Sequence, residues 1–304
     1  MKRRLFSLMV AVIIIAGNNS LSFSQDTDTV RYWKKGGVFS LNIAQSSFTN
    51  WAAGGQNSVA LNGLINLNAN FKKDKHSWDN TLDIGYGKMQ QKGNDLGWVK
   101  TDDKIDLLSK YGYQASKFWY YAGLVSFKTQ MAPGYNYPNT DTRISDLFSP
   151  AYLLFSLGMD YKPGPVFSAY ISPLTVKTTI VNDKVLSAAG AFGVEPGKKL
   201  RGELGAYANI LFKKDEVVKN VRFQSKLDLF SNYLHNPQNV DVSWENLVVM
   251  KVNKFLSATI TTNILYDDDI LVKVGEGTEG DPIMGKRVQF KEVIGVGFTY
   301  KLVK

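Results

Sequence analysis

Two histidines are the side chains of this sequence best suited to transfer a proton near neutral pH. His235 follows a strand-like segment and Ser231 lies shortly before it, so the pair could supply the base and nucleophile of a membrane-lipid hydrolase. His76 lies in a short turn at the opposite end of the predicted strands. No recognisable pattern surrounds His235, so an incidental loop histidine is the preferred interpretation. The sequence therefore predicts a protein that is not an enzyme, with an outer-membrane lipid hydrolase as an alternative.

A run of acidic residues offers a second kind of chemistry, the binding of a divalent cation. The run from Asp267 to Asp269 is followed by Glu276, Glu279 and Asp281. Carboxylate oxygens are the ligands that Ca²⁺ prefers, but this spacing is not that of an EF-hand loop. Acidic residues in a loop are usually solvated. The sequence predicts no metal ion and no cofactor.

The segment from 59 to 71 reads VALNGLINLNANF and shows the pattern that dominates the chain. Apolar Leu61 and Ile65 alternate with Asn62, Asn66 and Asn68. Side chains of a strand point to opposite faces with a period of two, so one face is apolar and the other consists of carboxamides. Strands of soluble sheets usually have about five or six residues, whereas a strand that crosses a bilayer needs about nine to eleven. The length and the alternation together predict a membrane-spanning strand.

The same alternation recurs about twelve times, an even number as closure of antiparallel strands into a ring usually requires. Short connections, such as 72–75 and 162–165, alternate with long ones, such as 132–149 and 182–200. Aromatic residues lie beside the short connections, and Pro173 predicts a bulge because it cannot donate to a ladder. The predicted fold class is all-β: a single transmembrane antiparallel up-and-down β-barrel with short periplasmic turns and long external loops.

The face opposite to the apolar row contains asparagines and charges of both signs. The residues predicted to line the lumen are Asn62, Asn66, Asn68, Asp79, Asp83, Lys110, Lys128, Arg222, Lys226 and Asp228. Mixed signs fit two kinds of interior, a narrow aqueous path with a weak selectivity or an interior blocked by salt bridges. The sequence leaves both open.

The first residues have the features of an export signal. Lys2, Arg3 and Arg4 precede an apolar stretch from 5 to 16, and small residues at 22 and 24 fit a cleavage site. The predicted organisation is a signal peptide at 1–24, a periplasmic lead at 25–36 and an outer-membrane barrel at 37–304. Removal of the signal peptide would lower the formal charge of +9 by three. The remaining basic residues are spread along the chain, which predicts no nucleic-acid partner.

The stretch NWAAGGQNS, from Asn50 to Ser58, resembles a motif of an uncharacterised outer-membrane β-barrel family from Bacteroidota that is known only as a domain of unknown function. The resemblance implies a barrel in the cell outer membrane and no established activity. The loop-motif residues are Trp51, Gly54, Gly55 and Asn57. They are interpreted as a tight turn with an interfacial tryptophan or, alternatively, as a ligand-binding loop.

Two functional classes fit this organisation. The leading hypothesis is a narrow channel for small polar or anionic solutes, because the predicted inner row is polar and the chain is basic. The alternative is a structural or accessory subunit of a larger outer-membrane assembly or export complex. The predicted partners are outer-membrane lipid, the barrel-assembly machinery during biogenesis and proteins of such an outer-membrane complex.

Overall fold

The computed structural model describes residues 32–47, 56–276 and 282–303. The predicted signal peptide and the motif residues Trp51, Gly54 and Gly55 lie outside these ranges. Within the described residues, no helix is both long enough and apolar enough to cross a membrane.

Antiparallel strands dominate the described chain. They are β1 (Trp33–Ser46), β2 (Ser58–Lys73), β3 (His76–Gln91), β4 (Trp98–Gln114), β5 (Trp119–Thr129), β6 (Gly134–Tyr135), β7 (Arg143–Ser145), β8 (Ala151–Gly164), β9 (Phe167–Ile180), β10 (Leu200–Val218), β11 (Val221–Asn232), β12 (Val240–Lys251), β13 (Leu256–Tyr266), β14 (Val272–Glu276), β15 (Pro282–Gly285) and β16 (Gln289–Val303). A short helix, α1 (Lys184–Ala188), and a 3₁₀ turn, Ala191–Gly193, lie between β9 and β10. The first strand thus begins at Trp33, a few residues before the predicted start of the barrel.

Twelve of these strands close into one ring, in the order β1, β2, β3, β4, β5, β8, β9, β10, β11, β12, β13, β16 and back to β1. The short pairs β6–β7 and β14–β15 are separate hairpins within two of the connections. Closure of the ring gives every long strand a paired neighbour on both sides, although the outer ends of β1 and β16 extend beyond their shared ladder. The predicted all-β, up-and-down antiparallel barrel is confirmed.

The alternation of the sequence separates the two faces of the ring. Asn66 is completely buried on the inner face, whereas apolar side chains of the outer face are exposed. The exposed outward residues include Phe39, Leu41, Ile43, Leu107, Phe155, Leu157, Ile171, Val176, Ile294, Val296 and Phe298. An apolar surface of this extent requires lipid around it, and a closed antiparallel ring with such an exterior is the architecture of outer-membrane barrels. The predicted place in the cell outer membrane is confirmed.

The connections differ strongly between the two ends of the ring. At one end they span only 74–75, 115–118, 165–166, 219–220 and 252–255. At the other end they span 47–57, 92–97, 130–150, 181–199, 233–239 and 267–288. This is the asymmetry of short periplasmic turns and long external loops that the sequence predicts.

Aromatic side chains form a girdle at the end with the short turns. The ring of Trp33 lies 5.3 Å from that of Phe71 and 5.8 Å from that of Trp78, measured between centroids. Further round the ring, on β5 and β8, the rings of Trp119 and Tyr161 are 5.0 Å apart. Tryptophan and tyrosine prefer the level of the lipid headgroups, so this girdle marks the periplasmic interface.

The bulge predicted at Pro173 is present. The register of β9 against β10 shifts between Ser172, which faces Tyr207, and Thr175, which faces Gly205. Proline has no backbone N–H to donate, and the one extra residue moves the inward row of β9 from even to odd positions. Lys177 is directed into the lumen by this shift, where it contacts acidic residues.

The orientation of the barrel gives a labelling prediction, and the absence of native cysteine leaves no background. Gly164→Cys lies at the exposed end of β8, next to a short turn, and should resist an impermeant thiol reagent applied to intact cells. Asp95→Cys and Asn136→Cys lie in exposed external connections and should react. The reverse pattern would contradict the orientation.

The lipid-facing row gives a stability prediction. Leu107→Arg places a cation on the outer face near the middle of β4, so the free energy of unfolding in lipid vesicles should fall by about 2 to 4 kcal/mol. Val166→Arg, in a short turn at the interface, is the matched control and should cost about 1 kcal/mol or less. Urea titration of folding measures both, and equal losses would show that the outer face has been misassigned.

Candidate functional site

Six charged side chains form a central belt inside the ring. They come from β4, β5, β11 and β12 and are Lys104, Asp106, Lys128, Lys226, Asp228 and Glu245. Lys226 donates to Asp106. Lys128 Nζ lies 2.8 Å from Asp228 Oδ2. Lys104 Nζ lies 2.5 Å from Glu245 Oε2. Because β4 and β11 are separated by several strands around the ring, these pairs connect opposite walls of the lumen.

A second group of charges, the lower cluster, lies nearer the short turns. Its members are Asp79, Lys110, Asp160 and Lys162. Lys110 Nζ lies 2.9 Å from Asp160 Oδ2, and Lys162 pairs with both Asp79 and Asp160. Ser168 donates to Asp160 with a distance of 2.7 Å between the oxygens. Lys110 and Asp160 are buried, and a buried charge is tolerated only when it is paired and hydrogen-bonded.

The inward asparagines of β2 form hydrogen bonds with charged side chains of other strands. Arg222 Nη2 donates to Asn66 Oδ1 at 2.9 Å, and the amide of Asn66 donates to Asp83. Nearer the long connections on β2, Asn62 donates to Asp102 at 3.3 Å. Nearer the short turns, Lys213 donates to Asn68 at 2.8 Å. Of the residues predicted to line the lumen, Asn62, Asn66, Asn68, Asp83 and Arg222 therefore form hydrogen bonds with side chains of other strands.

An apolar cluster occupies one side of the same interior. It consists of Leu108, Ala122, Leu124, Leu154, Tyr170, Tyr207 and Phe230, all buried. The hydroxyl of Tyr207 donates to Asp228 at 2.6 Å, which joins the cluster to the central belt. Apolar atoms packed against each other exclude water from that side of the lumen. The sequence analysis assigns apolar residues only to the outer face and misses this cluster.

The burial of the charged side chains distinguishes between the two predicted kinds of interior, an aqueous path and an interior blocked by salt bridges. Asp106, Lys110, Lys226 and Asp160 are all buried within the ring. The centre of the lumen therefore matches the interior blocked by salt bridges, and a wide aqueous path is absent from the described residues there. Replacement of Lys226 would leave Asp106 buried beside fewer cations, so the first role of this pair is structural.

Above the central belt lies a cavity of about 490 Å³, which we call the outer vestibule. Its floor contains Asp106, Lys128, Tyr207 and Asp228, and its walls contain Lys104, Tyr152 and Ser243. Gln130, Asp267 and Ile270 from two long connections line its upper part. The vestibule therefore faces the external side, and the ion pairs of the belt separate it from the periplasmic half.

The charges that the vestibule exposes differ between its floor and its rim. At the floor, the side chain of Lys128 is 27% exposed and that of its partner Asp228 is 9% exposed. At the rim, Lys177 is surrounded by Asp241 at 2.7 Å and Glu203 at 3.6 Å, and Asp241 is more exposed than the lysine. The more exposed partner of each pair is therefore a cation, Lys128, at the floor and a carboxylate, Asp241, at the rim.

The remaining candidates for chemistry are not assembled into sites. Ser231 donates to the carbonyl of Pro237 at 2.6 Å, while His235 Nε2 lies 3.3 Å from Asn236 Nδ2. His76 Nδ1 lies 2.6 Å from the hydroxyl of Tyr111 at the aromatic girdle. The described contacts therefore do not join serine and histidine as hydrolysis would require.

The acidic run contacts cations of the chain itself. Asp269 pairs with Arg201, and Asp268 lies 2.7 Å from Lys286. The hydrogen bond from Lys286 lowers the pKa of Asp268, whereas burial raises the pKa of Asp267 against the attraction of Lys177. These ion pairs stabilise the external connection. This structural role explains the acidic run. Glu279 and Asp281 lie outside the described residues, and nothing is described of the Glu276 side chain.

Several residues of the lumen were missed by the sequence analysis. Lys104 has the same parity as Asp106 on β4. Asp160 and Lys162 on β8 and Glu245 on β12 also occupy inward positions, where they form ion pairs. Counting every position of the inward parity would have found them.

The model of one protein family matches part of the chain. Residues 43–135 match the model of a family described as a protein of unknown function (DUF3078), a span that includes Asn57, whose carbonyl accepts from the Lys92 amide at 2.8 Å. No curated protein matches the chain. This supports an uncharacterised family, while the Bacteroidota origin and the motif stay predictions.

Two solved structures are similar in overall layout. The translocator domain of the autotransporter NalP from Neisseria meningitidis is 10% identical with a TM-score of 0.35, over 98% of this chain and 97% of that chain. An outer membrane channel from Pseudomonas putida F1 is 9% identical with a TM-score of 0.38, over 92% of this chain and 100% of that chain. At such scores the fold rests on the strand pairing of this chain itself.

The central belt gives a stability prediction. Asp106→Ala removes the carboxylate from Lys226 and leaves a buried ammonium, so the free energy of unfolding in vesicles should fall by about 3 to 5 kcal/mol. The double variant Asp106→Leu/Lys226→Met removes both charges and should recover most of the loss. Equal losses in the single and the double variant, measured by urea titration, would contradict a paired role.

Proposed function

We propose that this barrel is a narrow outer-membrane conduit for small polar solutes, which bind first in the outer vestibule. The observation that carries the proposal is the cavity of about 490 Å³ that is open toward the long connections and floored by the central belt. A concave site with a few convergent polar groups beside an apolar wall is typical of small-molecule binding. The apolar wall here includes Leu154 and Phe230.

The charges of the vestibule favour a solute that carries both signs. Lys104 and Lys128 offer cations near the floor, and Asp241 and Asp267 offer carboxylates near the rim. A zwitterion such as an amino acid can use both, whereas a purely anionic solute is attracted at the floor and repelled at the rim. The acidic rim thus limits the anion preference expected from the basic composition of the chain.

Passage beyond the vestibule requires the belt to exchange its pairs. Lys128 Nζ lies 2.8 Å from Asp228 Oδ2 and 3.8 Å from Asp106 Oδ2, so it can approach one carboxylate as it leaves the other. Among the described residues, Asp106 Oδ1 is buried and accepts no hydrogen bond, which leaves an acceptor for such a move. We expect solute flux to be slow and limited by this step.

The accessory-subunit hypothesis remains the alternative, with an absence of solute flux as its expected result. Lipid surrounds the outer face under both hypotheses. Assembly by the barrel-assembly machinery and association with outer-membrane proteins stay predictions.

Swelling of barrel-containing liposomes tests the proposal. Threonine should enter faster than erythritol, a neutral polyol of similar size, because only the zwitterion is bound by the charges of the vestibule. Lys128→Gln should remove much of this difference, so that the ratio of threonine entry to erythritol entry falls toward one. The carboxylate of Asp228 keeps the hydrogen bonds from Tyr207 and Asn209, so the variant should still fold.

Lys198→Gln, in the exposed connection 181–199, is the matched control and should behave like the parent. If the parent barrel admits neither solute above the rate of empty liposomes, the conduit proposal fails and the accessory role is favoured. If Lys128→Gln and the parent discriminate equally, the vestibule lysine does not select the solute.

A further inference from the structure

The ring is closed by the shortest of its described ladders, that between β1 and β16. Pairing runs only from Gly36 opposite Val303 to Asn42 opposite Gly297. Beyond this point β1 continues to Ser46 paired with β2 alone, and residues 289–296 of β16 pair with β13 alone. We call the unpaired interval, residues 43–46 of β1 and 289–296 of β16, the seam.

The ladder ends where a side chain crosses the neighbouring strand. Asn42 Nδ2 donates to Thr259 Oγ1 on β13 at 2.9 Å, passing over β16. It can do so because Gly295 has no side chain: a Cβ there would lie 2.6 Å from the Cβ of Asn42. Ser40 and Thr299 add a hydroxyl contact of 3.2 Å just below. These contacts connect β1, β16 and β13 at the base of the seam, whereas the outer ends of β1 and β16 are not paired with each other.

A cavity of about 260 Å³ lies in the seam. Asn42, Asn62 and Thr101 line it on the side of the lumen. On the side of the membrane it is flanked by Ile43, which is 51% exposed, and Ile294, which is 62% exposed. The cavity therefore has a polar inner side and an apolar outer side.

Two neighbouring residues give the cavity charges of opposite sign. Lys291 lines both the seam cavity and the outer vestibule, so the two spaces adjoin at this side chain. The Lys291 side chain is 41% exposed, whereas its partner Asp102, 2.6 Å away, is 13% exposed and also accepts from Asn62. Glu292 lines the seam cavity from the outward row of the same strand.

We propose that the seam binds a membrane lipid whose polar head carries both an anionic phosphate and a cationic amine. Strand edges within a membrane need partners for their N–H and C=O groups, and a lipid head supplies them together with an acyl chain for the apolar flank. Lys291 binds the phosphate by a charge-assisted hydrogen bond, and Glu292 binds the amine. The apolar flank at Ile43 and Ile294 contacts the acyl chain. The site adjoins the outer vestibule at Lys291, but lipid binding in the seam does not depend on solute flux.

Native mass spectrometry of the barrel released from nanodiscs tests this site. The nanodiscs contain equal amounts of phosphatidylethanolamine, which has both charges, and phosphatidylglycerol, which has only the phosphate. The parent should retain phosphatidylethanolamine in preference by about tenfold, as one additional charge-assisted hydrogen bond predicts. Lys291→Met/Glu292→Gln should abolish the preference, and Ala44→Trp, which fills the seam cavity from β1, should reduce retention of either lipid.

Ala208→Trp, on the outward row of β10 away from the seam, is the matched control for added bulk and should retain lipid like the parent. Circular dichroism confirms that each variant is folded before lipid is counted. Equal retention of the two lipids by the parent, absence of retained lipid, or unchanged retention in Ala44→Trp would each overturn the proposal.

Discussion

A charge that points into a closed ring must find its counter-charge inside the same ring. The twelve strands leave limited room for water, and an uncompensated ion in that space would cost several kcal/mol. Lys226 therefore pairs with Asp106 from the opposite wall, and Lys110 and Lys162 share Asp160 lower in the lumen. The cross-wall pairs fix the interior of the barrel in the way that a hydrophobic core fixes a soluble domain.

This constraint divides the lumen into parts with different properties. The apolar cluster around Tyr170 and Tyr207 excludes water from one side, and the central belt closes what remains. Above the belt lies the outer vestibule, a cavity large enough for a small solute, which strand residues and two long connections line. Any passage must therefore use the exchange of ion pairs, and any selectivity must arise from charges that the belt and the rim still expose.

The sequence predicted the parts of this arrangement that depend on local periodicity. Alternation located the strands and their two faces, connection length distinguished the two ends, and the missing donor of Pro173 located a bulge. The sequence did not predict the ion pairs inside the lumen, because Lys226 and Asp106 are 120 positions apart and no local spacing brings them together. The inward leucines were also missed, because Leu124 and Leu154 break the rule that inner residues are polar. The early end of the β1–β16 ladder depends on Asn42 crossing Gly295, a contact with no sequence signal of its own.

The separation of the outer vestibule from a closed lower lumen depends on the paired charges of the central belt. Its most direct test is the rate at which a small, charged, membrane-impermeant thiol reagent, added outside intact cells, modifies cysteines placed above and below the central belt. Ser243→Cys lines the vestibule and should react readily, whereas Ser168→Cys, beside the buried Asp160, should stay unmodified over the same time. Comparable modification of both positions would contradict a closed belt and show a continuous aqueous path through the barrel.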